Sequence, residues 1–208
     1  MSDPKIRTLT VISAGLTQPS SSRLLADRLA AATEDALVAQ GVEVDVAVVE
    51  LRDHAHALVD NMLTGFPSGA LRSATERVAV SDGLIAVTPI FNASYSGLYK
   101  SFFDVLEPGT LDGVPVLMGA TGGTARHSLA LDHAVRPMFA YLRAAVVPTA
   151  VYAASEDWAG AGDQGLAQRI ARGGGELAAA VAVRESVGPV DPFANSVPFE
   201  ELLTRQTQ

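Results

Sequence analysis

The stretch VISAGLTQPSSSRLLADRL, Val11–Leu29, passes from apolar residues through a loop with three consecutive serines into a segment whose apolar residues recur at spacings of three and four. That order reads as a strand, a loop and an amphipathic helix. The unit repeats along the chain. Five β-branched or apolar runs, Leu9–Ser13, Val42–Leu51, Leu84–Thr88, Val114–Met118 and Ala145–Tyr152, are followed in turn by segments of helical period at Leu24–Gln40, Leu71–Val80, Gly97–Leu106, Ser128–Leu142 and Leu166–Glu185.

Strands alternating with helices predict an α/β chain with an open parallel sheet covered on both faces. The first, third and fourth runs are almost continuously apolar, as doubly covered strands require. The second, VEVDVAVVEL, places Glu43 and Asp45 between valines, which suits a strand near the sheet edge. Gly41 is a C-cap candidate for the first helix, and Gly173–Gly175 interrupt the last one. No composition break marks a linker, so residues 1–186 read as one domain, and the proline-bearing tail 187–208 reads as an extended segment over the surface or a partner subunit.

The 208 residues are 48% hydrophobic, enough for one good core. A formal net charge of −8 argues against nucleic acid and membrane surfaces, both polyanions that select basic patches. With no cysteine there is no disulfide framework, thiolate metal site or thiol nucleophile. The pair His54 and His56 sits on an expected loop or edge with no carboxylates at a matching distance, so no metal site is read. No apolar run approaches a signal-peptide core or a membrane span, and the expected location is cytoplasmic.

In an open parallel sheet, ligands sit beyond the carboxyl ends of the strands. The first such loop offers the hydroxyls of Thr17, Ser20, Ser21 and Ser22 together with the free amides of a helix N-terminus, an arrangement that suits an anion or simply caps the helix. It has neither the lysine of a nucleoside-triphosphate loop nor the GxGxxG of a dinucleotide fold. A single terminal phosphate fits better. The second loop opens TPIFNASYSG, with Pro89 expected to end the strand and Ile90, Phe91 and Asn92 presenting backbone polar groups and flat apolar surface. The third, GATGGTARH, sets Gly122 and Gly123 where a missing Cβ lets backbone amides approach a ligand. Together the loops describe a ligand with one phosphate and one large planar polar ring.

The segments QPSSSRLL, TPIFNASYSGLYKSFFDVL and ATGGTARHSLALDHAVRPMF resemble the NAD(P)H-dependent FMN reductases, particularly those that supply reduced flavin to two-component alkanesulfonate and methanesulfonate monooxygenases. The resemblance covers about Thr8 to Tyr152. It implies a flavodoxin-like three-layer α/β/α sandwich around a central five-stranded parallel sheet. It implies FMN as cofactor, with Ser20, Ser22 and nearby amides on the phosphate, Pro89–Asn92 along the isoalloxazine, and Thr121–Gly123 with His127 on its pyrimidine side. The cofactor contacts implied are Ser13, Thr17, Gln18, Ser20, Ser21 and Ser22, then Pro89, Ile90, Phe91, Asn92, Ala93 and Ser94, then Thr121, Gly122, Gly123 and His127. Lys100 and Asp104 match a family pair whose other reading is an exposed ion pair, and His133 stands where some relatives place a tyrosine against a partner subunit.

Hydride transfer between nicotinamide and flavin is the cofactors' own chemistry, so no catalytic acid, base or nucleophile is expected. A backbone N–H near Asn92 is expected at flavin N5, and Arg126 or Arg23 at the phosphates of NADPH, with NADH as the alternative nucleotide. The implied partners are a flavin-dependent monooxygenase and further copies of the chain, as a dimer or dimer of dimers. The aromatic row Tyr95, Tyr99, Phe102 and Phe103 agrees, since it holds more apolar surface than one helix face is expected to bury. The alternative functions are an FMN-containing quinone, azo, nitro or chromate reductase, and a non-catalytic flavodoxin-like carrier. Trp158, far along the chain from the three loops, reads as a packing or interface residue.

Overall fold

The structure, a computed structural model, describes residues 6–158 and 161–185. The first run becomes β1 (Arg7–Ser13), and α1 (Ser21–Val38) returns the chain to β2 (Val44–Glu50). A 3-10 turn (Leu51–His54) leads into α2 (Ala55–Thr64) and α3 (Gly69–Ala79). Then come β3 (Gly83–Phe91), β4 (Ser94–Tyr95), α4 (Gly97–Asp104) and β5 (Pro115–Gly122), followed by α5 (Arg136–Tyr141), β6 (Ala145–Val146), β7 (Val151–Ala154) and α6 (Ala161–Val183).

Strands β2, β1, β3 and β5 lie side by side in that order, all parallel, and β6 and β7 both pair with β5 to fill the fifth position. The chain runs from β1 outward to β2 and then crosses to β3 on the other side. That reversal makes a topological switch point between β1 and β3. Because successive side chains alternate across a strand, each strand feeds two cores. Leu9 and Val11 of β1 join Leu25, Leu29, Leu177 and Val181 under α1 and α6. Ile12 joins Leu84, Val116, Phe102 and Phe139 on the other face. The α/β/α sandwich with five parallel positions is the expected one, and β2 is the expected edge.

Several boundaries differ, each for a local reason. Pro89 does not end β3: its Cα pairs with Thr121 and the strand continues to Phe91. The Val87 carbonyl accepts from the Ala14 N–H on the β1 side, so Pro89, two residues on, faces that same side where β1 has already ended. Its missing N–H therefore costs no ladder bond. The helix expected over Ser128–Leu142 is preceded by a 3-10 turn at Ala125–His127 and is itself divided into a π turn at Leu131–Val135 and α5. Pro137 has no N–H for the His133 carbonyl and crowds it, and the turn before it widens, with the Arg136 N–H bonded to Leu131 O.

The last run is two short strands rather than one. Arg136 donates to the carbonyls of Val147 (3.3 Å) and Pro148 (3.1 Å), while Glu176 accepts from the Thr149 N–H (2.7 Å) and hydroxyl (2.8 Å). These side chains satisfy the backbone groups that the interruption removes from the ladder. The segment with His54 and His56 is a turn and the start of α2, not a loop.

Gly173–Gly175 do not break α6. A Cβ on Gly174 would stand 2.9 Å from the Ala32 carbonyl carbon, and one on Gly173 would stand 2.9 Å from Leu117 Cδ1. The glycines let α6 press onto α1 and the sheet. The aromatic row is also internal: Tyr99, Phe102 and Phe103 are buried, Tyr99 and Phe103 meet Phe139 edge-on with Phe103–Phe139 centroids 5.0 Å apart, and Phe102 meets Phe103 edge-on. That surface is covered within the chain and carries no argument for an oligomer. The tail 187–208 lies outside the described residues. No described helix is long and apolar enough to cross a membrane.

Candidate functional site

At the carboxyl end of β1 the chain turns through Gly15 to Ser20, with a cis peptide at Gln18–Pro19. Ser20 is the N-cap of α1. Its Oγ accepts from the Arg23 N–H at 3.2 Å, and its carbonyl accepts from the Leu24 N–H at 3.0 Å. A Cβ on Gly15 would fall 2.0 Å from that Oγ, so the cap needs glycine there. The N–H groups of Ser21 and Ser22 precede the first intrahelical bond and have no acceptor within the helix, and the α1 dipole adds partial positive charge.

The three serines have separate fates. Ser20 caps, Ser21 is exposed, and Ser22 is buried with its Oγ 2.7 Å from Thr121 Oγ1 at the end of β5. Thr17 turns its hydroxyl onto Pro19 O at 3.0 Å. The Arg52 guanidinium donates to Thr17 O at 3.1 Å and also reaches the side-chain amide of Gln18. Glu50, ending β2, lies between Arg23 and Arg52. Arg23 also pairs with Asp27 at 2.7 Å, and the bond to Asp27, then its charge, then Glu50, hold its pKa up against the opposing effect of burial. Arg23 is thus engaged within the chain.

Ser13, the last residue of β1, is 1% exposed, and its Oγ has no partner among the described residues. A buried hydroxyl without a partner is uncommon. Here it stands immediately before the loop that leads to the free amides.

The second loop is a hairpin. Asn92 (φ 49°) and Ala93 (φ 68°) make a left-handed turn that returns β4 against β3, with Ile90 opposite Tyr95 and Phe91 opposite Ser94. Phe91 is left 47% exposed. In the third loop the two glycines differ. A Cβ on Gly122 would lie 2.1 Å from the Tyr152 hydroxyl, whereas one on Gly123 would meet open space. Gly122 makes room for Tyr152, which donates to Thr124 O at 2.9 Å. Burial first, then Glu156 and Asp157, push the Tyr152 pKa up, which keeps it a donor. Of these two, Gly123 alone has open space beside its Cα.

These ends enclose a cleft of about 330 Å³ lined by Ser21, Pro89–Phe91, Thr121–Gly123, Ser155 and Trp158, a size in the range of small-molecule sites. No lining residue carries a titratable acid or base. Among the implied contacts, Ser21, Pro89, Ile90, Phe91, Thr121, Gly122 and Gly123 line this cleft. Ser13, Thr17, Gln18, Ser20, Ser22, Asn92, Ala93 and Ser94 belong to the segments that shape it, and His127 is exposed in the turn beyond Gly123. Lys100 and Asp104 are an exposed ion pair outside the lining, with Nζ 2.5 Å from Oδ1. His133 is exposed in the π turn.

The cleft positions of Ser155 and Trp158 escaped the sequence reading: Trp158 does pack against the core under α1 and α6, as expected, but it also lines the cleft. The signal was available: SEDW directly follows the fifth strand position, and the rule that ligands gather at strand carboxyl ends applies to that loop too. Among the described residues no group of acidic and histidine side chains is placed to hold a metal.

Residues 7–159 match the family model of the NADPH-dependent FMN reductases. The chain is 33% identical over 150 residues to the FMN reductase (NADPH) of Pseudomonas aeruginosa, covering 72% of this chain and 78% of that one. It is 34% identical over 148 residues to the NADH-dependent FMN reductase SfnF of Pseudomonas putida, covering 71% and 77%. Among solved structures, an oxidoreductase from Corynebacterium diphtheriae superposes with a TM-score of 0.84 at 45% identity, over 86% of this chain and 99% of that one. A match across most of the sheet and all three loops, in sequence and in structure alike, places this chain in the NADPH-dependent FMN reductase family.

Proposed function

We propose that this protein reduces FMN with NADPH or NADH, and that the reduced flavin serves a partner flavin-dependent monooxygenase. The observation that carries the reading is the convergence of a free helix N-terminus, an unpartnered buried hydroxyl and a flat, mostly apolar cleft at one switch point.

The residues present fit the flavin nucleotide. The amides of Ser21 and Ser22 suit a phosphate, and the Ser13 hydroxyl supplies a donor that is otherwise left without a partner. Ile90, Phe91 and Trp158 give flat surface, and the open side of Gly123 leaves space for a ring edge. Bound FMN supplies the two-electron chemistry by accepting hydride from the nicotinamide. The chain's own work is to bind, orient and exclude water, and a lining without titratable groups agrees with a transfer that needs no protein acid or base. In the same proposal, the Asn92–Ala93 turn presents backbone amides at the cleft mouth, and Arg126, exposed and without an ion pair among the described residues, receives nucleotide phosphate. The resemblance alone supports a dimer or dimer of dimers, which light scattering would check.

The test is anaerobic. Protein mixed with FMN is titrated first with NADPH and then with NADH while the flavin band is followed. Bleaching at a catalytic rate is the expected result, and bound flavin that neither nucleotide bleaches would overturn the reductase reading in favour of a carrier. Flavin lost on gel filtration supports delivery to a partner, while flavin that stays bound through turnover counts against it.

A further inference from the structure

Trp158 is the only tryptophan in the chain. We propose that it forms a wall of the flavin cleft, braced from behind by Arg28, and that it sets how tightly the flavin nucleotide is retained. This inference rests on the reading that the cleft holds FMN.

Three observations carry it. The indole is partly buried against the core under α1 and α6, yet it also lines the cleft together with Ser21 and Gly122–Gly123. One part of the side chain is therefore anchored and another faces the ligand space. The Arg28 guanidinium carbon lies 5.3 Å from the indole centroid, within cation–π range. Arg28 follows Ser21 by seven residues, so both lie on one face of α1, about 10 Å apart along its axis. The same helix face thus supplies the anion-binding turn and the brace for the wall.

The turn carrying Trp158 is itself fixed. Asp157 accepts from the Ala154 N–H at 2.8 Å through Oδ2 and from Arg169 at 3.0 Å through Oδ1, and Arg169 also donates to Tyr152 O at 3.2 Å. The indole is presented by a pinned turn at the end of β7. An indole so held gives a flavin nucleotide broad flat contact at low entropic cost and keeps water from one side of the cleft. Trp158 contacts the flavin, and Arg28 acts through it as a positioning residue.

The experiment measures FMN dissociation constants and thermal midpoints for wild type and the variants W158A, W158F, R28M and R28K. It adds hydroxyl-radical footprinting of the wild type with and without FMN. W158A is expected to bind FMN about tenfold more weakly, W158F to keep most of the affinity, R28M to lose part of it, and R28K, which keeps a cation over the ring, to restore it. FMN is expected to slow Trp158 oxidation at least about twofold, while Tyr141, 88% exposed and outside the cleft lining, is unaffected. Should W158A fail to fold, the R28M and R28K pair and the footprint decide. Wild type that binds FMN while W158A binds it equally well, or while Trp158 oxidises at an unchanged rate, overturns this inference alone. Wild type that binds no FMN overturns the cleft reading with it.

Discussion

Ser22 Oγ and Thr121 Oγ1 stand 2.7 Å apart with both residues out of solvent, so the first turn of α1 is tied directly to the end of β5. This bond joins the loop that offers free amides to the loop that bears the glycines. Each hydroxyl satisfies the other. Thr121→Val leaves the Ser22 hydroxyl buried without that partner and is expected to cost about 1–3 kcal/mol, whereas the double variant with Ser22→Ala comes back toward wild type. Thermal unfolding of the four proteins in the cycle measures it, and additive losses would show that the bond contributes nothing.

Ser21 lets phosphate binding be separated from helix capping. It is exposed, opens α1 and lines the cleft. Ser21→Asp places a negative charge at a helix N-terminus, worth about 0.3–1 kcal/mol of added stability, while repelling a phosphate at the same amides. A melting point that is unchanged or raised, together with at least about a tenfold loss of FMN affinity, is expected. Undiminished FMN binding would mean that these amides serve no anion.

The two arginines considered for the nicotinamide nucleotide part company. Arg23 is held by Asp27 and Glu50, while Arg126 has no ion pair among the described residues. Arg126→Ala is expected to raise the Michaelis constant for NADPH about tenfold with little change in the maximal rate. Arg23→Ala is expected to act through stability instead, since it leaves Glu50 with one cation fewer. Steady-state kinetics beside melting curves distinguish the two, and equal kinetic effects would refute the separation.

Tyr99 is fully buried and its hydroxyl has no partner among the described residues. Burial, then the neighbouring Tyr95, raises its pKa well above the ordinary 10.0. Because the folded value is the higher one, the group's contribution is intact below pH 10 and is lost as pH rises through the ordinary tyrosine range toward the folded value. Tyr99→Phe removes the unsatisfied hydroxyl and the alkaline liability together. Expected are stability equal to or up to about 1 kcal/mol above wild type at neutral pH, and a shallower fall at alkaline pH. A variant clearly less stable at neutral pH would show that the hydroxyl is satisfied in solution.

Neighbouring glycines of α6 give opposite expectations. Gly174→Ala drives a Cβ against the Ala32 backbone, while Gly175→Ala meets open space. The first should lower stability, and the second should raise it by about 0.5–1 kcal/mol through helix propensity. Denaturant midpoints of the two variants suffice, and two changes of the same sign would contradict the packing described.

The architecture was legible because Leu9–Ser13, Leu84–Thr88 and Val114–Met118 are apolar on both faces and sit between helical periods. The three loops were legible because strand carboxyl ends gather ligands in such sheets. What the residues could not show was tertiary in origin. Gly173–Gly175 looked like a break because their packing against Ala32 and Leu117 is long-range. The serine triplet looked uniform because the bond from Ser22 to Thr121 spans 99 positions. Helix α2 was missed because its apolar residues Val59, Met62 and Leu63 stay exposed and leave little periodic signal. Trp158 reaches the cleft only because β7 pairs beside β5.

The hairpin at the cleft mouth carries one further implication. Left-handed turns of this kind favour glycine, yet position 93 is an alanine at φ 68°, a conformation that costs an L-residue about 1–2 kcal/mol. The pairing of Ile90 with Tyr95 and of Phe91 with Ser94 holds it there. The rim beside Phe91 therefore rests away from its own local energy minimum while the strand beneath it does not. Breaking those two pairs would release the strain held at Ala93, so this rim opens at a lower energetic cost than the continuous parallel ladder beneath it.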